Sequence, residues 1–216
     1  MLFTIKYLIN LLKILIACES SGRVREAFKN KGCDAWSCDI QESEIKSEHH
    51  IKDDVLKHLN DGWDMMIAFP PCTYLSTAGN RWFNEKRYGE IAIERKNKRI
   101  EAYNFTMKLV DANIDKIAIE NPVGFLNTHW KKPSQIIEPY YFGDADKKRT
   151  CLWLKNLPLL QSTNIVKPEI YGYLKNGKHI GNPLYYVDSP KIKNKSIDRS
   201  RTFPGIAKAM AEQWNF

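Results

Sequence analysis

The stretch IAFPPCTYLSTAG, Ile67 to Gly79, ends an apolar run on two prolines and places Cys72 directly after them. Proline has no N–H for a ladder and fixes its own φ, so Pro70-Pro71 turns the chain rigidly out of a sheet. A cysteine held at such a strand end is presented as a nucleophile would be, in contrast to the usual buried cysteine, which packs as a small hydrophobe. Its thiolate needs a cationic neighbour. A second strand-like run, KIAIENP, delivers Glu120 and Asn121. A partly desolvated carboxyl group can hold a proton near neutral pH, and the adjacent amide can hydrogen-bond the edge of an amide-like heterocycle. Against this stands a structural glutamate paired with one of the many cations.

Two further groups suit a ligand. The small-residue turn Cys18-Glu19-Ser20-Ser21-Gly22 follows the apolar Ile14–Ala17. Asp39 comes about 20 residues later, the spacing at which an acid after the second strand accepts bonds from ribose hydroxyls. The competing role for Asp39 is to cap the following turn. Glu19 would repel a phosphate. It suits a cationic group instead, such as the amino group or sulfonium of S-adenosylmethionine.

These residues need strands to carry them to one place. Ile14–Ala17, DAWSCD, WDMMIAF and KIAIENP read as short buried strands, the last ending at Glu120. A helix with Val24, Ala27 and Phe28 on one face stops near Gly32, and a longer helix spans 90–112 with Ile100, Tyr103, Met107 and Val110 on one face. Residues 41–50 read as loop and DDVLKHL as a short helix or turn. IIEPYYFG and RTCLWLKN read as further strands, and Ile206, Ala209, Met210 and Trp214 mark a C-terminal helix. Alternating strands and helices predict an α/β fold with a mostly parallel sheet and flanking helices, with the ligand beyond the carboxyl ends of the strands. The four strand ends converge small, acidic and nucleophilic residues on one rim.

With 216 residues, the chain is long enough for one domain with its own core. Its net charge of +8 favours polyanionic partners. Five cysteines without a C-x-x-C pair argue against a disulfide framework and a zinc knuckle, and point to a reducing, cytoplasmic setting. His49-His50 lies in a polar stretch and reads as solvated loop. The N-terminal apolar stretch is interrupted by Lys6, Asn10 and Lys13, so it reads as a lead-in to the first strand and not as a membrane span. Between Gln161 and Arg201, seven Lys or Arg precede Arg201 against three acids, with four tyrosines interleaved. Charge for phosphates and ring faces for bases make this a candidate nucleic-acid surface, including Lys175, Lys178, Tyr185, Lys193 and Arg199; a solvated hairpin is the alternative.

Taken together, the sequence resembles the cytosine-C5 DNA methyltransferases. PPCTYLSTAG is similar to their Pro-Cys nucleophile motif: Pro71, Cys72, Ser76, Ala78 and Gly79 match, while Thr73 and Leu75 depart from the usual Gln and Phe. ENPVGFL resembles their Glu-Asn-Val motif with Pro122 in place of Val. CESSG occupies the place of the Gly-rich cofactor loop, with Gly22 retained. Asp39 matches the ribose-binding acid, and Asp54 resembles the acid that contacts adenine. FGDADKKRTCLWL resembles the Gln-x-Arg-x-Arg strand motif, leaving Lys148 and Arg149 both as candidates for its basic role. RSRTFPGIAKAM occupies the place of the last cofactor motif without its Gly-Asn-Ser triplet.

The resemblance covers about 14–210 and implies a Rossmann-like, S-adenosylmethionine-dependent methyltransferase fold. The implied cofactor site takes in Cys18, Glu19, Ser20, Ser21, Gly22, Asp39, Asp54 and Pro70. The implied catalytic set is Cys72, Glu120, Asn121, Lys148 and Arg149, with Ser76 on the nucleic acid. It divides the chain into a core (1–154), a small basic and aromatic insertion (155–198) in place of a full target-recognition domain, and a returning C-terminal helix (199–216). The implied substrate is cytosine in DNA, with RNA or a free nucleotide as alternatives and a partner protein as a source of target recognition. Transfer to an exocyclic amino group fits less well, because those enzymes place an aromatic residue where Cys72 stands. A non-catalytic nucleic-acid or partner-binding homologue is the rival outside enzymology.

Overall fold

The computed structural model describes residues 11–169, the backbone of 173–175, 178–180 and 195–197, and residues 198–216. Tyr185, Lys193 and the lead-in residues 1–10 lie outside the described residues, as do the side chains of Lys175 and Lys178.

In chain order the elements are β1 (Lys13–Ala17), α1 (Arg23–Lys29), β2 (Asp34–Asp39), β3 (His50–Lys52), β4 (Met65–Ala68), α2 (Glu85–Tyr88), α3 (Glu90–Val110), β5 (Lys116–Pro122), α4 (Phe125–His129), β6 (Gln135–Ile137), β7 (Thr150–Lys155), β8 (Tyr173–Lys175), β9 (Lys178–Ile180), α5 (Lys195–Ser200) and α6 (Pro204–Gln213). Single 3-10 turns occupy Val55–Lys57 and Pro139–Tyr141, and a longer 3-10 segment runs Thr77–Phe83. β8 and β9 form a separate antiparallel pair.

The other seven strands make one sheet in the order β3-β2-β1-β4-β5-β7-β6. β3 to β5 are parallel neighbours throughout, and β7 enters antiparallel between β5 and β6. This is a Rossmann-like α/β fold. The order reverses between β1 and β4, where diverging connections leave a crevice beyond the carboxyl ends of the strands. β1 and β4 are apolar along almost their whole length because both sheet faces are covered. One face carries α1 and α6 over Ile14, Ile16, Met65, Ile67, Phe28, Met210 and Trp214. The other packs Leu15, Met66, Ile117 and Trp153 with Leu109 of α3 and Leu126 of α4. Among the described residues no helix is long and apolar enough to cross a membrane.

Four local expectations are corrected. The 41–50 loop ends in β3, since His50 pairs with Ser37. The run at 136–143 is a strand only through Ile137, because Pro139 opens a 3-10 turn instead of continuing a ladder. β5 continues past Glu120 to Pro122, because antiparallel β7 still pairs it after parallel β4 has ended at Ala68. On α3 the buried positions are Ala92, Thr106 and Leu109, while Ile100 is 51% exposed. Tyr103, Met107 and Val110 pack against the core as expected, so only Ile100 departs from the apolar face, and Arg95 and Arg99 occupy part of the inward side.

Candidate active site

The crevice is built from both sides of the strand-order reversal. After β1, Cys18 turns the chain with φ of 58°, a left-handed conformation uncommon for a residue with a Cβ, and its N–H donates to the Cys38 carbonyl. Gly22 begins α1 at φ 74°, and a Cβ there would lie 2.7 Å from an Arg25 Nη. The glycine therefore answers both a backbone angle and a close approach. Arg25 is fully buried beneath it, donating to Ser37, Ser43 and the Ile45 carbonyl, with Glu26 at 2.8 Å. Sequence reasoning missed Arg25, which ties the loop after β2 to the sheet. The same loop crosses the turn, where the Glu44 N–H reaches the Ser20 carbonyl.

Glu19 is 5% exposed and turns inward. Its Oε1 accepts from the Ser21 hydroxyl and the Val24 N–H, at the start of α1, while Oε2 is buried with no partner among the described residues. Burial pushes its carboxyl above the ordinary range, opposed by these bonds and by Arg25. Asp39, at the end of β2, accepts from the Gln41 N–H and so caps its own turn. Asp54 is exposed and accepts from Leu56 N–H, capping the 3-10 turn. Next to Asp39, Ile40 stands 74% exposed, an apolar side chain at the rim that sequence reasoning did not single out.

On the other side, the Phe69 N–H makes a last bond to Ala17, Pro70 is buried, and Pro71 and Cys72 emerge exposed. The Cys72 carbonyl accepts from Leu75 and Ser76, closing a tight turn whose Leu75 is fully buried. That turn docks on the chain after β5 through Thr77 N–H to Val123 and Phe125 N–H to Leu75, with Ser76 bridged to Gly124. A Cβ on Gly124 would stand 2.0 Å from the Leu75 carbonyl oxygen, so only glycine permits this approach.

Residues 120 and 121 face opposite sides of β5. Glu120 lines a cavity of about 10 Å³ with Phe69, Lys148, Thr150 and Phe203, room for about one water. Asn121 is buried on the other face and donates to the Pro70 carbonyl at 2.9 Å. Its amide nitrogen thus braces the turn that carries Cys72, while its Oδ1 is buried without a partner among the described residues. The two cationic candidates also separate. Because β7 runs antiparallel, its beginning lies at the rim, and the preceding Lys148 reaches the cavity with its Nζ on the Arg199 carbonyl. Arg149 points outward, its side chain 74% exposed beside Glu138.

Cys72, Glu120 and Lys148 sense one another's charge. Desolvation and then the Glu120 carboxylate push the Cys72 thiol up, opposed by Lys148 and Arg199. Desolvation likewise raises Glu120, opposed by Lys148. The arrangement offers a thiol on an exposed residue at the rim, a carboxyl group biased toward its protonated form, and a nearby ammonium, a set able to add a nucleophile and move a proton. The structure brings these three together; Ser76 lies four residues beyond Cys72 in the docked turn.

No family model and no curated protein matches this chain. A solved E. coli structure, assigned as a DNA modification methyltransferase encoded within a prophage, aligns with a TM-score of 0.45 and 13% identity over 72% of this chain. The chain spans about half of that structure's length, 52%.

Proposed function

We propose that this protein is an S-adenosylmethionine-dependent cytosine-C5 methyltransferase acting on nucleic acid, with DNA as the substrate the sequence resemblance favours. The observation that carries this reading is the grouping of exposed Cys72 with Glu120 and Lys148 at the rim beside the strand-order reversal.

The cofactor suits the β1–α1 side. Glu19 Oε2 is a buried carboxylate oxygen without a partner among the described residues, and a cationic amino group would satisfy it. Asp39 keeps a second oxygen for ribose hydroxyls after Oδ1 has accepted from Gln41. Exposed Ile40 can cover one face of an adenine ring. Glu19 and Asp39 would hold the cofactor, which when bound supplies an electrophilic methyl group.

The protein's own residues would do the rest. With the target base turned out of its stack, the Cys72 thiolate adds to C6 of cytosine. Glu120 delivers its proton to N3, so negative charge does not accumulate on the ring. Lys148 steadies the base carbonyl and favours the thiolate; outward-facing Arg149 has no part in this. C5 then accepts the methyl group; loss of the C5 proton to solvent expels the Cys72 thiolate, and N3 returns its proton to Glu120. Residues 155–198 form, on this reading, a small recognition element, with Arg199 at its end.

The test is covalent trapping on DNA containing 5-fluorocytosine, since fluorine cannot leave C5 as a cation. A cofactor-dependent adduct lost in Cys72→Ser is the expected outcome. Calorimetric binding of S-adenosylmethionine without any adduct on DNA or RNA would sink the C5 chemistry. Absence of both would favour the non-catalytic reading, which the caps made by Asp39 and Asp54 support.

A further inference from the structure

The segment leaving the Cys72 turn carries an unusual electrostatic surface. Thr77–Phe83, α2 and the first turns of α3 hold Arg81, Arg87, Arg95 and Arg99, and none of these pairs with a carboxylate among the described residues. Two of the nearby carboxylates go to lysines: Glu85 to Lys96 and Glu94 to Lys98. The arginines lie on rings instead. Arg81 covers Trp82 at 4.8 Å and Arg87 covers Tyr88 at 5.4 Å. Arg95 sits 5.0 Å from Tyr74, and Arg99 sits 3.4 Å from Phe83 and 5.0 Å from Phe125.

Arg99 also donates to the Tyr74 carbonyl and Asn80, fixing this segment to the turn that carries Cys72. Arg95 is one helical turn away with the same charge, and its Nε is buried without a partner among the described residues. Two neighbouring guanidinium groups with no counter-charge repel, and a bound anion removes that cost. Trp82, 37% exposed, meets Tyr88 at 4.8 Å between ring centres, so part of a large aromatic side chain stands at the surface instead of in a core.

Uncompensated arginines interleaved with accessible rings match what an unpaired polynucleotide strand needs: cations for phosphodiesters and ring faces for unstacked bases. A duplex hides its base faces and could use only the cations. We propose that the surface formed by Arg81, Trp82, Arg87, Tyr88 and Arg95 binds single-stranded nucleic acid next to Cys72, so that the protein prefers an unpaired strand to a duplex. This rests on reading the protein as a nucleic-acid enzyme.

The test is fluorescence anisotropy at one fixed salt concentration, without cofactor. It compares labelled oligothymidylate and oligouridylate of ~16 nucleotides with a duplex of equal length. The full chain is compared with Trp82→Ala and Trp82→Phe, each checked for an unchanged melting transition. The strand is expected to bind more tightly than the duplex. Trp82→Ala should weaken strand binding by at least about 5-fold, the lower edge of one lost base stack, and leave the duplex nearly unchanged. Trp82→Phe should retain most of the affinity. Equal or tighter duplex binding overturns the inference, as does an equal loss on both ligands or none in Trp82→Ala. A strand preference that persists in the absence of any 5-fluorocytosine adduct would sink methyl transfer and leave this surface standing; an adduct without the preference would do the reverse.

Discussion

On the β1–β2–β3 side of the crevice the acidic groups already serve the chain: Glu19 meets Ser21 and Val24, Asp39 caps Gln41, and Asp54 caps Leu56. On the β4–β5–β7 side Cys72 is exposed and Glu120 lines a cavity, while other groups hold them there: Asn121 on Pro70, Gly124 under Leu75, and the Glu138 carboxylate on the Lys148 N–H. The first side offers a ligand what remains after building its loops, such as Glu19 Oε2. The second delegates construction to neighbours and leaves its reactive groups free to change charge. Substitutions should therefore act differently on the two sides.

The largest effect is expected at Gly124→Ala. The added Cβ meets backbone, not a flexible side chain, so the Cys72 turn must move. Overpacking of this kind costs about 1–3 kcal/mol. A displacement near 1 Å would lower the trapping rate by about 100-fold. Urea unfolding and adduct formation measure the two separately, and a variant normal in both would show that the docked turn does not position Cys72.

Next comes Glu120→Gln. On the proposed mechanism, losing the proton donor slows methyl transfer by about 10² to 10⁴. The thiol should respond in the opposite sense. The Glu120 carboxylate raises the Cys72 thiol, so the glutamine variant should be alkylated by iodoacetamide at lower pH than the parent. Lys148 lowers that thiol, so Lys148→Met should shift the same profile to higher pH. Profiles that coincide in all three proteins would break the claimed coupling.

How much of this could be seen in the sequence depends on how each residue does its work. Cys72 and Glu120 were legible because they end apolar runs, and a parallel sheet brings such ends to one rim. The choice between Lys148 and Arg149 was not, since it depends on β7 running antiparallel and on the alternation just before it. The bracing role of Asn121 was not legible either, because sequence adjacency to Glu120 hides the fact that neighbours on a strand face opposite ways. Arg25, Arg95 and Arg99 were invisible to a search for apolar faces, because guanidinium groups packed on backbone carbonyls and rings fill positions that periodicity assigns to hydrophobes.

A smaller effect is expected at Glu19. Replacing it by alanine removes the acceptor for Ser21 and Val24 and the candidate partner of the cofactor's amino group. A hydrogen bond to a charged group contributes about 1.5–3 kcal/mol, so S-adenosylmethionine should bind about 10- to 150-fold more weakly by calorimetry. Glu19→Gln keeps an acceptor for the turn and loses the charge. A glutamine variant of full affinity would mean that Oε2 faces no cation.

Asp54 gives the smallest effect and the finest distinction between the two sides. Its observed role is a cap, and Asp54→Ala should destabilise the protein by about 1 kcal/mol. Asparagine caps nearly as well as aspartate, so Asp54→Asn should recover that stability. Asparagine retains an acceptor but has no charge and brings an amide donor, so it would alter a direct contact with an adenine amino group. If Asp54 only builds its turn, Asp54→Asn will match the parent in both melting and cofactor affinity. Parental melting with weakened affinity would instead give Asp54 both jobs at once, the turn through Oδ1 and the cofactor through Oδ2, as already inferred for Asp39.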